Sequence, residues 1–144
     1  MNPVSINKHT DKYVADTHAL VWKLCATARL GVAAQAVFAR ADADEVKVHI
    51  PVVVVAELAM IAQKQRIPGF DDESFETAIH ALQKHPAYIS ESLDLERVLA
   101  SRPFSGIPDI FDRLVITDAV VLQAAVITKD PVIRDSGLVT TVWA

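Results

Sequence analysis

The amino-acid sequence predicts an α/β domain with a central parallel sheet flanked by helices, and three observations carry that prediction. Strand-like and helix-like segments alternate from about residue 12 onward, and alternation of that kind builds a parallel sheet covered on both sides. The chain has 144 residues, 51% of them hydrophobic and 22% charged, which suits one compact domain with a proper core and excludes a disordered chain. No internal repeat, low-complexity tract or linker divides it.

Met1 to about Asp11 is polar and aperiodic and reads as a flexible leader, so the domain is expected over 12–144. Lys12 to Ala15 is a short β-run, followed by a helical stretch from about Thr17 to Ala28. A second helix over about Gly31 to Ala43 carries Ala34, Val37, Phe38 and Ala41 at helical spacing. Val46 to Ile50 reads as the next strand. Val53 to about Gln65 is a helix that stops before Pro68 and Gly69. Asp72 to Lys84 places Phe75, Ile79 and Leu82 on one helical face, Tyr88 to Ile89 is a brief strand, and Leu93 to Ser101 a short helix. Asp109 to about Gln123 is a strongly apolar helix, Ala125 to Thr128 a buried strand, and Val139 to Trp143 a closing one.

Composition narrows the function classes. The single cysteine, Cys25, excludes an internal disulfide framework and points to a reducing compartment; within the apolar stretch Leu20 to Ala28 it is expected to be a buried, inert thiol. No secretory signal opens the chain, and no apolar run approaches the roughly twenty residues of a membrane span, so a soluble cytoplasmic protein is expected. A net charge of −4 does not advertise a nucleic-acid binder. Acids gathered around a cation, however, present a different field once the ion is bound.

Four acids stand at matched places. Asp16 directly follows the first strand and Asp130 follows Ala125 to Thr128, both at carboxyl ends, where parallel sheets bind ligands. Glu57 falls in the first turns of the helix after Val46 to Ile50, and Asp112 in the first turn of the long apolar helix. If the strands are parallel neighbours, all four converge on one rim. Such a cluster suits Mg²⁺ or Mn²⁺, which prefer oxygen ligands and keep several waters. An ion so held can activate water and neutralise charge developing on a phosphate. Without it the carboxylates repel, and some take protons instead.

Each acid also has a plain structural role available. Asp16 can cap the helix that follows it. Asp112 can sit in a first turn for the helix dipole, and Asp130 can open a turn before Pro131. Glu57 can be a solvated helix residue, although it lies amid Val52 to Ala56 and Leu58 to Ile61. Asp109, after Pro108, is read as an N-cap. Singly the signals are weak; their joint placement is what points to a metal site.

The residues that make this case also carry a resemblance. Tyr13-Val14-Ala15-Asp16-Thr17-His18-Ala19-Leu20-Val21-Trp22 resembles the opening motif of PIN-domain ribonucleases, specifically VapC-type toxins. Ile50 to Ala62 is similar to their second motif, with Glu57 as its acid. Asp109-Ile110-Phe111-Asp112-Arg113 resembles their Asp-Pro-Phe-Asp-Arg segment, Val126-Ile127-Thr128-Lys129-Asp130 their final acidic motif, and Val139 to Trp143 their closing strand. The likeness runs from about Lys12 to the last residue. It departs at Ile110, where proline is usual, and at Asp118, where Gln or Thr is common; the leader is also long for such toxins. Asp118 lies about 120° around the helix from Asp112 and is not expected to bind the same ion.

The resemblance implies a PIN-like three-layer fold and a Mg²⁺ or Mn²⁺ site in which Asp16 and Asp112 hold the ion directly. Glu57 and Asp130 would complete the acidic ring directly or through water, with Thr17, Thr128 and Arg113 in support. It implies an endoribonuclease that hydrolyses phosphodiester bonds of single-stranded or looped RNA (tRNA, rRNA or mRNA) and leaves a 3′-hydroxyl. It also implies a homodimer silenced by a cognate antitoxin protein.

Other chemistry fits less well. His9, His18, His49, His80 and His85 show no metal-ligand spacing, and His18 is read as packing or polar support. No Gly-x-Ser-x-Gly elbow and no Gly-rich phosphate loop occurs. Lys23, Lys64, Arg66, Arg113, Lys129 and Arg134 are scattered, each more plausibly a solvated surface residue than part of a backbone-tracking groove, and Arg113 is placed to pair with a rim acid. Trp22 and Trp143 are expected in the core. Two alternatives remain: an aspartyl-phosphate domain with Asp16 as nucleophile, in which Thr17 and His18 stand where a second acid belongs, and a catalytically silent PIN-like binding module.

Overall fold

The computed structural model describes residues 11–144; the expected leader, apart from Asp11, falls outside the described residues. Among the described residues, five strands form one parallel sheet in the order β3-β2-β1-β4-β5: β1 (Lys12–Ala15), β2 (Lys47–Pro51), β3 (Tyr88–Glu91), β4 (Ala125–Ile127) and β5 (Thr141–Val142). In the central strands Tyr13, Val14, Ala15, Val48, Ile50, Ala125, Val126 and Ile127 are all buried, as strands covered on both faces must be. The chain steps outward from β1 through β2 to β3, then returns to build β4 and β5 on the other side. That reversal between β1 and β4 leaves a crevice at the carboxyl edge of the sheet.

Among the described residues, seven α-helices cover the sheet: α1 (Thr17–Cys25), α2 (Val32–Asp42), α3 (Val52–Gln63), α4 (Asp72–Lys84), α5 (Leu95–Ala100), α6 (Ile110–Leu122) and α7 (Pro131–Arg134). The face expected on α2 is the buried one, since Ala34, Val37, Phe38 and Ala41 are its buried residues. Helix α4 covers an edge and is only half-buried on its apolar face. An Asp71–Ser74 capping box fixes its start, with each partner bonded to the other at 2.9 Å.

Several expectations change on folding. The first helix ends at Cys25, and Thr27–Arg29 forms a separate 3₁₀ turn. Cys25 is therefore not a buried thiol: the buried face of α1 ends at Trp22, and Cys25, at the last helical position, is exposed. The closing strand is two residues long where five were expected. A four-residue helix, α7, stands where Asp130-Pro131 suggested only a turn. Trp22 is buried as expected, with the Arg29 guanidinium 4.0 Å above its ring, and Trp143 packs against the core half-buried. No helix among the described residues is long and apolar enough to cross a membrane.

Candidate metal-binding site at the sheet's carboxyl edge

The four acids singled out in the sequence line one cleft of about 340 Å³, although they come from four different elements. Asp16 caps α1 as β1 ends, and Asp130 caps α7 just after β4. Glu57 sits in the second turn of α3, which leaves the carboxyl end of β2. Helix α6 runs back into β4, so its first turn, carrying Asp112, begins at the same edge.

The capping and site roles coincide. Asp16 Oδ1 accepts the Ala19 amide at 2.9 Å, and its Oδ2 accepts the Thr128 hydroxyl in a short bond. Thr128 Oγ1 in turn accepts the Asp130 amide at 3.0 Å, and Asp130 Oδ1 accepts the Val132 amide at 2.9 Å. The Thr17 hydroxyl donates to Glu57 Oε1 at 2.8 Å and so ties α3 to the start of α1. Thr17 and Thr128 thus set the rotamers of two acids. With both oxygens engaged and only 8% of its surface exposed, Asp16 is poorly presented as a nucleophile, which weighs against the aspartyl-phosphate alternative.

Asp112 differs from the other three. Its carboxylate accepts no hydrogen bond from a described residue. Its pKa is pushed up to about 6, first by burial and then by the charges of Asp130, Asp109, Asp16 and Glu57. Burial also raises Asp16, against the pull of its bond from Thr128. Among the described residues, no Lys or Arg forms an ion pair with any of the four.

A hard divalent cation suits this donor set of carboxylate and hydroxyl oxygens. Among the described residues no three acidic, histidine or cysteine side chains converge tightly enough to ligate one ion together. One or two carboxylates would hold it directly and the rest through its waters, the usual habit of Mg²⁺.

Three further ionisable residues line the cleft. His18, read as packing or polar support, lines it from the first turn of α1, two residues after Asp16. Asp109 caps α6 through the Phe111 amide at 2.7 Å, as expected, and lines the cleft as well. Lys129 lines it between Thr128 and Asp130. The signal for Asp109 was its i, i+3 spacing from Asp112, which puts both on one helix face. Arg113 does not pair with a rim acid. Its Nε donates to the Ile107 carbonyl in a short bond and its Nη2 to the Pro108 carbonyl at 3.4 Å, so it braces the loop entering α6. Asp118, about one and two-thirds turns further along α6, is buried and accepts Arg97 Nη1 at 2.5 Å, away from the cleft.

A five-stranded parallel sheet between helices, with acids at its switch point, is a PIN-like α/β architecture. The chain is similar over 92% of its length, at a TM-score of 0.69, to 99% of a chain in the crystal structure of VapBC2 from Rickettsia felis bound to a DNA fragment from their promoter. Their sequences are 12% identical, so the likeness is one of fold. No family model matches the chain, and no curated protein matches it.

Proposed function

We propose that this protein is a Mg²⁺- or Mn²⁺-dependent endoribonuclease that hydrolyses RNA phosphodiester bonds, and that it is the toxin of a toxin–antitoxin pair. The observation that carries the proposal is the rim itself: four acids from four elements share a cleft, no Lys or Arg among the described residues pairs with any of them, and one of them is pushed up to about 6. Capping accounts for Asp16 and Asp130 singly, but gathering four carboxylates in one cleft costs stability unless a cation joins them.

Asp16 and Asp112 would hold the ion most directly, with Glu57 and Asp130 meeting its waters. When bound, the ion supplies an activated water and offsets the charge gathering on the phosphate. The chain's own part is positioning. Thr128 and the Ala19 amide fix Asp16, Thr17 fixes Glu57, and Arg113 holds the loop from which α6 presents Asp112. The sequence motifs support the RNA substrate. The fold shared with a chain of the VapBC2 complex supports a cognate antitoxin as partner. A homodimer in the cytoplasm belongs to the same reading.

The test is cleavage of single-stranded RNA by the purified chain with added Mg²⁺ or Mn²⁺. An ion at such a site supplies several kcal/mol of transition-state stabilisation, so Asp16→Asn or Asp112→Asn should lower the rate by more than about 100-fold, with the circular dichroism spectrum retained. Full activity in either variant would refute the assigned roles. Calorimetric titration with Mn²⁺ separates the silent-module alternative, which predicts no binding heat.

A further inference from the structure

A second cleft, of about 480 Å³, adjoins the acidic one, and the two share Lys129, just beyond the carboxyl end of β4. Their linings have opposite character. Five carboxylates face the first, Asp109 included. Among the described residues no acidic side chain lines the second, which presents Lys129, Arg134, Thr141 and Trp143. Arg134 meets Asp135 at 3.0 and 3.3 Å, but the pair is exposed and such pairs hold weakly. Lys129 is exposed and makes no ion pair or hydrogen bond among the described residues.

Trp143 is held in place by close backbone packing. Its carbonyl accepts the Ala34 amide at 3.1 Å. A Cβ at position 31 would fall 2.0 Å from that carbonyl oxygen and 2.8 Å from the indole Cδ1, so only glycine lets Trp143 lie against the start of α2. The tryptophan expected in the core is therefore half core and half cleft wall. A cation at the mouth, a hydroxyl and a fixed aromatic side chain are the parts of a track for single-stranded nucleic acid, where cations follow the backbone and aromatics carry bases.

We infer that the second cleft is a binding subsite for the strand that leaves the acidic cleft, with Lys129 at the junction taking a backbone phosphate and Trp143 taking a base. The inference rests on the RNA substrate proposed above and adds to it a requirement: the strand must be long enough to reach both clefts.

The experiment measures binding by fluorescence anisotropy. The full chain carries Asp112→Asn to prevent cleavage and is titrated at fixed Mg²⁺ with a single-stranded oligoribonucleotide of about eight nucleotides, within the usual range of such sites. Adding Trp143→Leu should weaken binding about tenfold, with Trp143→Phe restoring most of it. Adding Lys129→Ala should weaken binding and reduce the slope of log affinity against log salt by about 0.7, the share of one phosphate contact on a single strand. Thermal melts establish that each variant is folded.

Unchanged affinity in a folded Trp143→Leu chain, or an unchanged salt slope in Lys129→Ala, overturns the inference while leaving the nuclease reading standing. A loss seen for polyglutamate but not for RNA also overturns it, since the cleft would then take an acidic peptide. If the Asp112→Asn chain binds no RNA and the unmodified chain cleaves none, the inference falls together with the proposed function.

Discussion

Helix α6 carries two acids six residues apart that meet the cost of burial in opposite ways. Asp118 lies inside, where its Oδ1 accepts Arg97 Nη1 at 2.5 Å; Arg97 also stands 3.6 Å from Glu91, which bonds His49 Nδ1 at 2.7 Å. Burial holds the Asp118 pKa above its ordinary value, and the guanidinium offsets part of that rise. Asp112, at the rim, has burial and four like charges acting in one direction, and no Lys or Arg among the described residues pairs with it. One region is closed electrostatically by the protein. The other is left open for something the chain does not supply, and that contrast separates a structural network from a site.

Breaking the closed region should have the largest effect on stability. Arg97→Ala strands Glu91 and Asp118 without their cation, and removing one partner of a buried pair costs about 3 kcal/mol. Urea denaturation should show that loss at neutral pH, and added Mg²⁺ should not restore it. A loss below about 0.5 kcal/mol would mean that the two regions are not electrostatically different after all.

The open region should respond with the opposite sign. Asp112 holds its proton more tightly when folded, at about 6, than at its ordinary 3.8. The folded state therefore binds more protons between those values, and the stabilisation present at low pH is lost as pH rises through them. Asp112→Asn should remove that fall and leave the metal-free protein more stable above about pH 6. The gain is on the order of 1 kcal/mol once the half-exposed side chain is discounted for solvent screening. Thermal melts across pH check it; a variant less stable than the parent at neutral pH would show the rim to be compensated within the protein.

The smallest effect sharpens the comparison. Thr17→Val deletes the hydroxyl that holds Glu57 and should cost roughly 0.5 kcal/mol, while the Mn²⁺ binding heat drops because Glu57 is no longer aimed into the cleft. Binding identical to the parent's would remove Glu57 from the ion's surroundings.

The acids at the ends of β1 and β4 were legible because a residue following a buried strand in a parallel sheet has one edge to go to. Asp109 was legible as a cap for the same kind of local reason. Cys25 misled because an apolar run does not say where a helix's buried face stops; the buried residues of α1 end at Trp22, and the thiol at its last position is outside. Arg113 misled because adjacency to Asp112 in the chain suggested a pair, whereas on the helix it points toward the incoming loop. The Arg97–Asp118 and Thr128–Asp16 bonds join residues 21 and 112 positions apart, and no local pattern announces them.

By itself the sequence determined most of the strand and helix segments (α7 and the length of β5 apart), the buried face of α2, the caps at Asp16 and Asp109, and the placement of four acids at strand ends and in early turns. Those follow from short-range sterics, backbone hydrogen bonding and hydrophobic spacing, which act within a few residues. Only the tertiary structure decided that β1 and β4 are neighbours, that Asp118 finds a cation while Asp112 does not, and that Lys129 stands between an acidic cleft and a basic one. Those are consequences of which elements pack together, and packing sums contacts over the whole chain that no window of sequence contains.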